Sequence, residues 1–217
     1  ISASKDLAVL LTYYSNNISQ LYVLPSLIAR FLKDEHTTSI PAVLNFCETI
    51  YPFLQSEFFL RWSEQEITEK CLTMIRSFES MGLVALDRNT IVTASYGSDK
   101  YASLHELAEI VEPTLERFHI VIMLLMAEEE RSVRDLESDA AAIAEQLSAI
   151  YGINSPDFFE RSLFTRFIST LKNTDMISTH DNVVTKRDGL LELGTLTSKT
   201  LDADVQYNVL QAMPVRS

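Results

Sequence analysis

The sequence contains few of the residues that break regular structure or crosslink small folds. Its 217 residues include only 5 glycines, 6 prolines and 2 cysteines. So little glycine and proline excludes a collagen-like or low-complexity chain, and two cysteines cannot build the disulfide framework of a small secreted domain. Cys47 and Cys71 both lie among apolar residues at helical spacing, which favours reduced, buried thiols.

Positive charge and long apolar runs are also scarce. Lys and Arg number 18 against 30 Asp and Glu, a formal net charge of -12. Such a surface repels phosphate backbones, so we predict no nucleic-acid partner. The most apolar stretch, Phe118 to Ala127, has about half of the roughly 20 residues that a membrane-spanning helix needs.

What the chain does contain is helical periodicity. Apolar residues make up 47% of it, which is typical of an ordered globular protein. Their spacing predicts a mainly α fold, a multi-helix bundle with two short β-hairpins. Predicted helix starts follow five serines: Ser39, Ser63, Ser103, Ser132 and Ser155. Two of these starts are capping boxes, completed by Glu66 and Glu106. Three prolines are expected to kink, bend or restart their helices: Pro25, Pro52 and Pro113.

We divide the chain into three parts. Residues 1–100 form a helical unit that ends in a hairpin, and residues 101–185 hold a long central helix and a second unit of the same kind. Residues 186–217 form a weakly patterned tail with leucines spaced for one or two short helices. Because the central helix is apolar all round from Phe118 to Ala127, we predict its burial among other helices. The alternative is a helix lying on a membrane surface.

The two predicted hairpins follow segments that resemble each other. Met74 to Thr93 aligns with Phe167 to Thr185 when a single gap is allowed. Upstream, Ser63 aligns with Ser155. Each unit then has the outline of a winged-helix module, with a chance match of amphipathic helices as the alternative. Winged helices often bind DNA, but the first capped helix carries four glutamates against one lysine and one arginine. A hairpin used for packing or for contact with protein is therefore the preferred interpretation.

No motif with catalytic or metal-binding spacing occurs in the sequence. There is no glycine-rich phosphate loop and no G-x-S-x-G elbow, and the four histidines share no motif. His105 and Glu109 are one helical turn apart, a spacing that would allow both to bind one metal ion. We interpret them instead as solvated side chains. The sequence therefore predicts no catalytic residue, no metal site and no cofactor.

Three blocks of sequence, in order, resemble one known family. They comprise Thr12–Ile18 with Leu24–Ala29, then Tyr51–Leu54 with Glu57–Trp62, then Leu147–Ser148 with Tyr151–Phe159. Their order and intervals are similar to those of the region that follows the catalytic domain in bacterial glycerol-3-phosphate acyltransferases. The resemblance spans most of the chain, and its three ordered blocks are more specific than any one of them.

The resemblance implies that the complete protein is a glycerol-3-phosphate 1-O-acyltransferase, which makes lysophosphatidic acid for phospholipid biosynthesis from an acyl carrier protein or coenzyme A thioester. In that family a histidine five positions before an aspartate is the general base. The residues five positions after the histidines here are Pro41, Ile110, Leu124 and Thr185. No catalytic role can be transferred, so we expect this region alone to be inactive.

As a noncatalytic carboxy-terminal domain, the region is expected to support the upstream catalytic domain by packing, by membrane-surface contact or by contact with acyl carrier protein. The resemblance implies a cytoplasmic location, with the parent protein peripheral on the cytoplasmic face of the inner membrane. Candidate contact residues are Tyr13, Tyr14, Asn16, Asn17, Arg61 and Trp62, because amphipathic aromatics and arginine are favoured at interfaces. Alternatively, these side chains lock helices within the domain. The alternative function is a free-standing winged-helix-like interaction adaptor.

Overall fold

The computed structural model describes residues 21–128, 130–151 and 156–214. The chain divides into two compact units between residues 111 and 112. The sequence-based division between residues 100 and 101 placed the helix after the first hairpin in the second part, whereas in the structure that helix belongs to the first unit. The fold is mainly α with short hairpins, as the sequence predicted.

The first unit combines helices with one small three-stranded antiparallel sheet. Helix α1 covers residues 21–33. It is followed by β1 (Thr37–Ser39), α2 (Ile40–Phe58), α3 (Glu64–Ser80), β2 (Val84–Asp87), β3 (Thr90–Thr93) and α4 (Asp99–Ala108). The strand order is β1-β3-β2, with Thr38 opposite Ile91. Strand β1 was missed from the sequence because three residues are too few to show an alternating pattern.

The second unit repeats this order. It contains α5 (Glu112–Ala127), β4 (Arg131–Ser132), α6 (Val133–Tyr151), a 3-10 turn (Pro156–Phe159), α7 (Arg161–Asn173), β5 (Ile177–His180), β6 (Val183–Lys186), α8 (Leu190–Lys199) and α9 (Ala203–Ala212). Its strand order, β4-β6-β5, corresponds to that of the first sheet. The order helix, strand, two helices and hairpin in both units is that of a winged-helix module. The tail thus forms the two short helices for which its leucines are spaced.

Backbone hydrogen bonds show that the repeat runs at a constant interval. The first residue of α2 donates to the turn of its hairpin, Ile40 N to Asn89 O at 2.9 Å, and Val133 N donates to Asn182 O at 3.0 Å. Two further hydrogen bonds of the first unit have counterparts in the second. Leu83 N to Phe78 O corresponds to Met176 N to Leu171 O, and Ala94 N to Leu83 O corresponds to Arg187 N to Met176 O. In each pair the second residue number exceeds the first by 93. The single gap in the sequence alignment is therefore wrong, since Ile91 corresponds to Val184 and not to Val183.

The buried positions of the long helices follow the same interval. Five buried residues of α2 and their counterparts in α6 are Val43, Cys47, Ile50, Tyr51 and Leu54 with Leu136, Ala140, Ile143, Ala144 and Leu147. Because these positions recur every three or four residues, each helix presents one continuous apolar face to its unit's core. Cys47 and Cys71 are free and buried, as predicted.

Most predicted helix starts are confirmed. Ser39 caps α2 and Ser63 caps α3, where the Ser63 N–H donates to Glu66 Oε2 at 2.9 Å. The hydrogen bonds that the Ser63 backbone N–H and the Ser63 hydroxyl donate to the Glu66 carboxylate lower the pKa of the Glu66 carboxyl group. Helix α2 continues through Pro52 to Phe58 and does not restart there.

One predicted start is wrong, and another lies outside the described residues. Ser103 lies inside α4, which Ser98 caps, and its hydroxyl donates to the Asp99 carbonyl at 3.0 Å. The helix predicted from Ser103 is two helices, because the chain turns at residues 109–111 and Pro113 stands in the first turn of α5. Ser155 lies outside the described residues, and α7 starts only at Arg161, after the 3-10 turn.

The second half of α5 is buried, as its uniformly apolar sequence predicted. Phe118, Ile120, Val121, Ile122 and Leu124 are each at most 1% exposed. The helix packs against α6, α7, α8 and α9, and the Phe118 ring stacks on Phe167 with a centroid distance of 4.2 Å. This burial disfavours the membrane-lying alternative. No helix among the described residues is both long and apolar enough to span a bilayer.

The matched serine caps lead to a stability prediction. Ser39 Oγ accepts from the Ala42 N–H at 3.3 Å, and Ser132 Oγ accepts from the Asp135 N–H at 3.0 Å. Ser39→Ala and Ser132→Ala should each lower the free energy of unfolding by about 1 kcal/mol, measured by urea denaturation. The exposed mid-helix Ser138→Ala is the control, with an expected change within about 0.5 kcal/mol. Equal effects in all three variants would contradict the capping role.

Candidate functional site: the connection between α2 and α3

Of the predicted contact residues, two fall within the described structure. Arg61 and Trp62 lie in residues 59–63, the connection between α2 and α3. The other four, Tyr13, Tyr14, Asn16 and Asn17, lie outside the described residues. The structure therefore places one part of the predicted contact set.

Two side chains of α2 hold this connection in place. The Tyr51 hydroxyl and Gln55 Nε2 both donate to the Trp62 carbonyl oxygen, each at 2.7 Å. Burial raises the pKa of Tyr51 to about 12, so its hydroxyl stays protonated and donates throughout the physiological pH range. Helix α2 ends at Phe58, and the next residue, Phe59, caps it with a left-handed backbone (φ 53°).

The connection presents apolar side chains to solvent. Phe59 is 70% exposed, and Leu21 of α1 is 66% exposed. Leu21, Arg61 and Trp62 line a common cavity of about 50 Å³. We call Leu21, Phe59, Arg61 and Trp62 the aromatic patch. Exposed large apolar side chains beside an arginine are typical of a surface that a partner covers.

Histidine and carboxylate groups of the described residues form two ion pairs, both at the surface. His105 Nδ1 lies 3.2 Å from Glu109 Oε1, and His180 Nδ1 lies 3.1 Å from Asp181 Oδ2. In the second pair both side chains are about nine-tenths exposed, at 91% and 88%. No group of three or more His, Cys, Asp or Glu residues in the described structure could hold a metal ion. These surface pairs lack the enclosed surroundings that acid–base catalysis uses.

Sequence reasoning missed a cleft between α5, α8 and the start of α9, with a volume of about 640 Å³. One residue could have indicated this cleft. Leu191 is a large apolar residue that lies outside the buried stripe of α8, and it is 67% exposed. A second cleft, of about 420 Å³, lies beside α7 and is lined by residues including Thr165, Ser169 and Lys172.

Comparison with known proteins identifies the family. The family model described as "Glycerol-3-phosphate acyltransferase C-terminal region" matches residues 1–180. A glycerol-3-phosphate acyltransferase of Pseudomonas fluorescens (strain SBW25) is 33% identical over 208 residues, covering 94% of this chain and 25% of the relative. One from Pseudomonas savastanoi pv. phaseolicola is 36% identical over 166 residues, covering 76% and 20%.

The match is confined to one region of these relatives. A glycerol-3-phosphate acyltransferase of Pseudomonas fluorescens (strain Pf0-1) is 30% identical over 214 residues, which are 97% of this chain but 26% of the relative. The chain thus spans about a quarter of the length of the curated relatives that it matches. No solved structure matches it. On the strength of the family model and these relatives, the chain belongs to the family of glycerol-3-phosphate acyltransferase C-terminal regions.

Proposed function

We propose that this chain is the noncatalytic C-terminal domain of a glycerol-3-phosphate 1-O-acyltransferase and that it supports the upstream catalytic domain. The parent would transfer a fatty acyl group to the first hydroxyl of glycerol 3-phosphate and release lysophosphatidic acid. The family match over residues 1–180 is the observation that carries this proposal. The lack of a histidine paired five positions later with aspartate supports the assignment of the chemistry to another part of the protein.

The aromatic patch is the surface that we propose for contact with the catalytic domain. Two of the three blocks that resemble the family border this patch, because Leu21 lies between the two segments of the first block and Arg61 and Trp62 close the second. Two hydrogen bonds to the Trp62 carbonyl hold the backbone of the patch in one conformation. Such rigidity reduces the entropy that would be lost on docking. The domain has a further proposed role in contact with acyl carrier protein or, through the parent protein, with the cytoplasmic membrane surface.

Variants of the patch in the full-length parent test the proposal. Phe59→Asn removes the exposed ring and places at φ 53° a residue that tolerates this conformation, and Trp62→Ala leaves the anchored carbonyl in place. We expect the double variant to lower acyl transfer at least tenfold, because buried aromatic anchors contribute about 2 kcal/mol or more to an interface. The isolated 217-residue chain should show no acyl transfer.

The control is Tyr96→Ser, at a tyrosine that is 88% exposed and lies outside the patch. It should leave the activity of the parent unchanged. Urea denaturation of the isolated chain should show that Phe59→Asn alters the free energy of unfolding by less than about 0.5 kcal/mol. Wild-type activity in the double variant would refute the docking role of the patch.

A winged-helix-like adaptor is the second candidate function, favoured by the repeated element order and the matched hydrogen bonds. It predicts that the 217-residue chain by itself recovers a protein partner in a pull-down. The domain function predicts instead that its main contact is with the catalytic domain of its own chain.

A further inference from the structure

The cleft between α5, α8 and the start of α9 has the size of a ligand site. Its volume of about 640 Å³ lies in the range of roughly 300–1,000 Å³ that is typical of small-molecule pockets. Its apolar walls come from Ile122, Met123 and Met126 on α5, Leu191 on α8, and Leu201 before α9. Methionine side chains are flexible and adapt to the shape of an apolar ligand.

The polar side chains in the walls make hydrogen bonds within the protein. Thr195 Oγ1 donates to a carbonyl of its own helix at 2.9 Å, and Gln206 Nε2 donates to the carbonyls of Ser198 and Leu201, each at 2.9 Å. Ser198 Oγ lies 3.4 Å from Nδ1 of the buried His119. A ligand in the cleft therefore meets chiefly aliphatic surface.

Gly194 contributes to the depth of the cleft. A Cβ atom at this position would lie 3.0 Å from Ile122 Cγ2 on α5, closer than ordinary van der Waals separation. The glycine thus lets α8 approach α5 without a side chain that would occupy the space between them. Its role is steric, since its backbone is helical.

The lining determines the class of ligand. Among the described residues that line the cleft there is no aromatic side chain, so these residues offer a flat ring no stacking partner. Lys199 supplies the charged group of this lining, and it is exposed at the end of α8. We propose that the cleft binds a single aliphatic chain that carries an anionic head group, with the chain between α5 and α8 and the head near Lys199. This proposal stands on the cleft alone and does not depend on the role of the aromatic patch.

Calorimetric titration of the 217-residue chain with saturated fatty acids, kept below their micelle concentrations, tests the aliphatic part. Affinity should rise about fourfold for each added methylene until the cleft is filled, from about 0.8 kcal/mol per buried methylene. Thr195→Trp fills the cleft from an exposed helix position and should weaken binding at least tenfold. Thr165→Trp is the matched control, because Thr165 is also exposed on a helix of the same unit but lines the other cleft.

Dodecanoate, dodecyl phosphate and dodecanol test the head group. Lys199→Glu should weaken binding of the two anions about three- to tenfold and leave the alcohol unaffected. The carboxylate and phosphate arms distinguish a fatty acid from a lysophospholipid as the ligand. An equal effect of Lys199→Glu on the alcohol and the anions would overturn the head-group assignment.

Two results would overturn the proposal as a whole. One is that the wild-type chain fails to bind any of these compounds, and the other is that Thr195→Trp binds them as tightly as Thr165→Trp does. If wild type binds none but Thr195→Trp impairs the full-length parent, the cleft docks another part of the protein instead. Loss of parent activity on changing Phe59 and Trp62, with lipid binding intact, would support the aromatic patch independently.

Discussion

Arg131→Ala is expected to destabilise the second unit by about 3 kcal/mol, the lower end of what breaking a buried ion pair costs. Arg131 is 4% exposed. Its guanidinium donates to both Glu128 oxygens, Nε to Oε2 at 3.1 Å and Nη2 to Oε1 at 2.7 Å. It also donates to Asp139 Oδ2 at 2.8 Å. The alanine variant would leave two partly buried carboxylates side by side without this cation.

The expected loss of stability is at the lower end of the range for buried ion pairs because water still reaches both carboxylates. The Glu128 and Asp139 side chains are 24% and 22% exposed. Urea denaturation measures the loss. Arg131→Ala combined with Glu128→Gln and Asp139→Asn should lose less than Arg131→Ala alone, because the repelling charges are then removed. Thr38→Ala, at the corresponding place 93 residues earlier, is the control and should cost under about 1 kcal/mol. A triple variant as unstable as Arg131→Ala would show that lost packing and not charge accounts for the effect.

Acidification from pH 7 to pH 4 should remove about 3 kcal/mol of stability through His119 alone. The side chain is 2% exposed, and burial lowers the pKa of His119 from 6.5 to about 4. Since the unfolded chain binds the proton more tightly, the contribution is complete above pH 6.5 and falls as the pH drops toward 4. The magnitude follows from about 1.36 kcal/mol per pKa unit.

His119→Met separates this contribution from that of the carboxylates, because methionine is neutral at every pH and similar in size. The difference in free energy of unfolding between wild type and this variant should change by about 3 kcal/mol between pH 7 and pH 4. His180→Gln is the control, because that side chain is 91% exposed. The lowered pKa of Glu66 also reduces stability on acidification, but equally in all three proteins. A pH-independent difference would contradict the assignment to His119.

The local features of the fold were predictable because they depend on residues a few positions apart. The capping box at Ser63, the left-handed Gly82 after α3 and both hairpins follow from patterns of side chains within one or two turns. The same pattern at Ser103 failed. There Ser98, five residues earlier, caps the helix, and a capping-box sequence inside a helix looks the same as one at its start.

The candidate site was only partly predictable. Arg61 and Trp62 could be chosen for their chemistry and for the family resemblance. Their sharing of a cavity with Leu21 depends on how α1 packs beside the connection, which no sequence period encodes. The cleft between α5, α8 and the start of α9 was also missed because it depends on tertiary packing. Helices α5 and α8 are separated by more than sixty residues of sequence. Its lining resembles ordinary helix faces when each helix is considered alone.

The sequence by itself determined most of the helices, their apolar faces, the hairpins, the acidic surface and the family. Tertiary structure alone decided that Thr37–Ser39 and Arg131–Ser132 complete three-stranded sheets, and that the repeat needs no gap. The physical reason is the separation along the sequence of the residues that interact. Caps and helix periods are set between near neighbours, whereas β1 obtains its hydrogen bonds from β3, more than fifty residues later, and so has no local signal of its own.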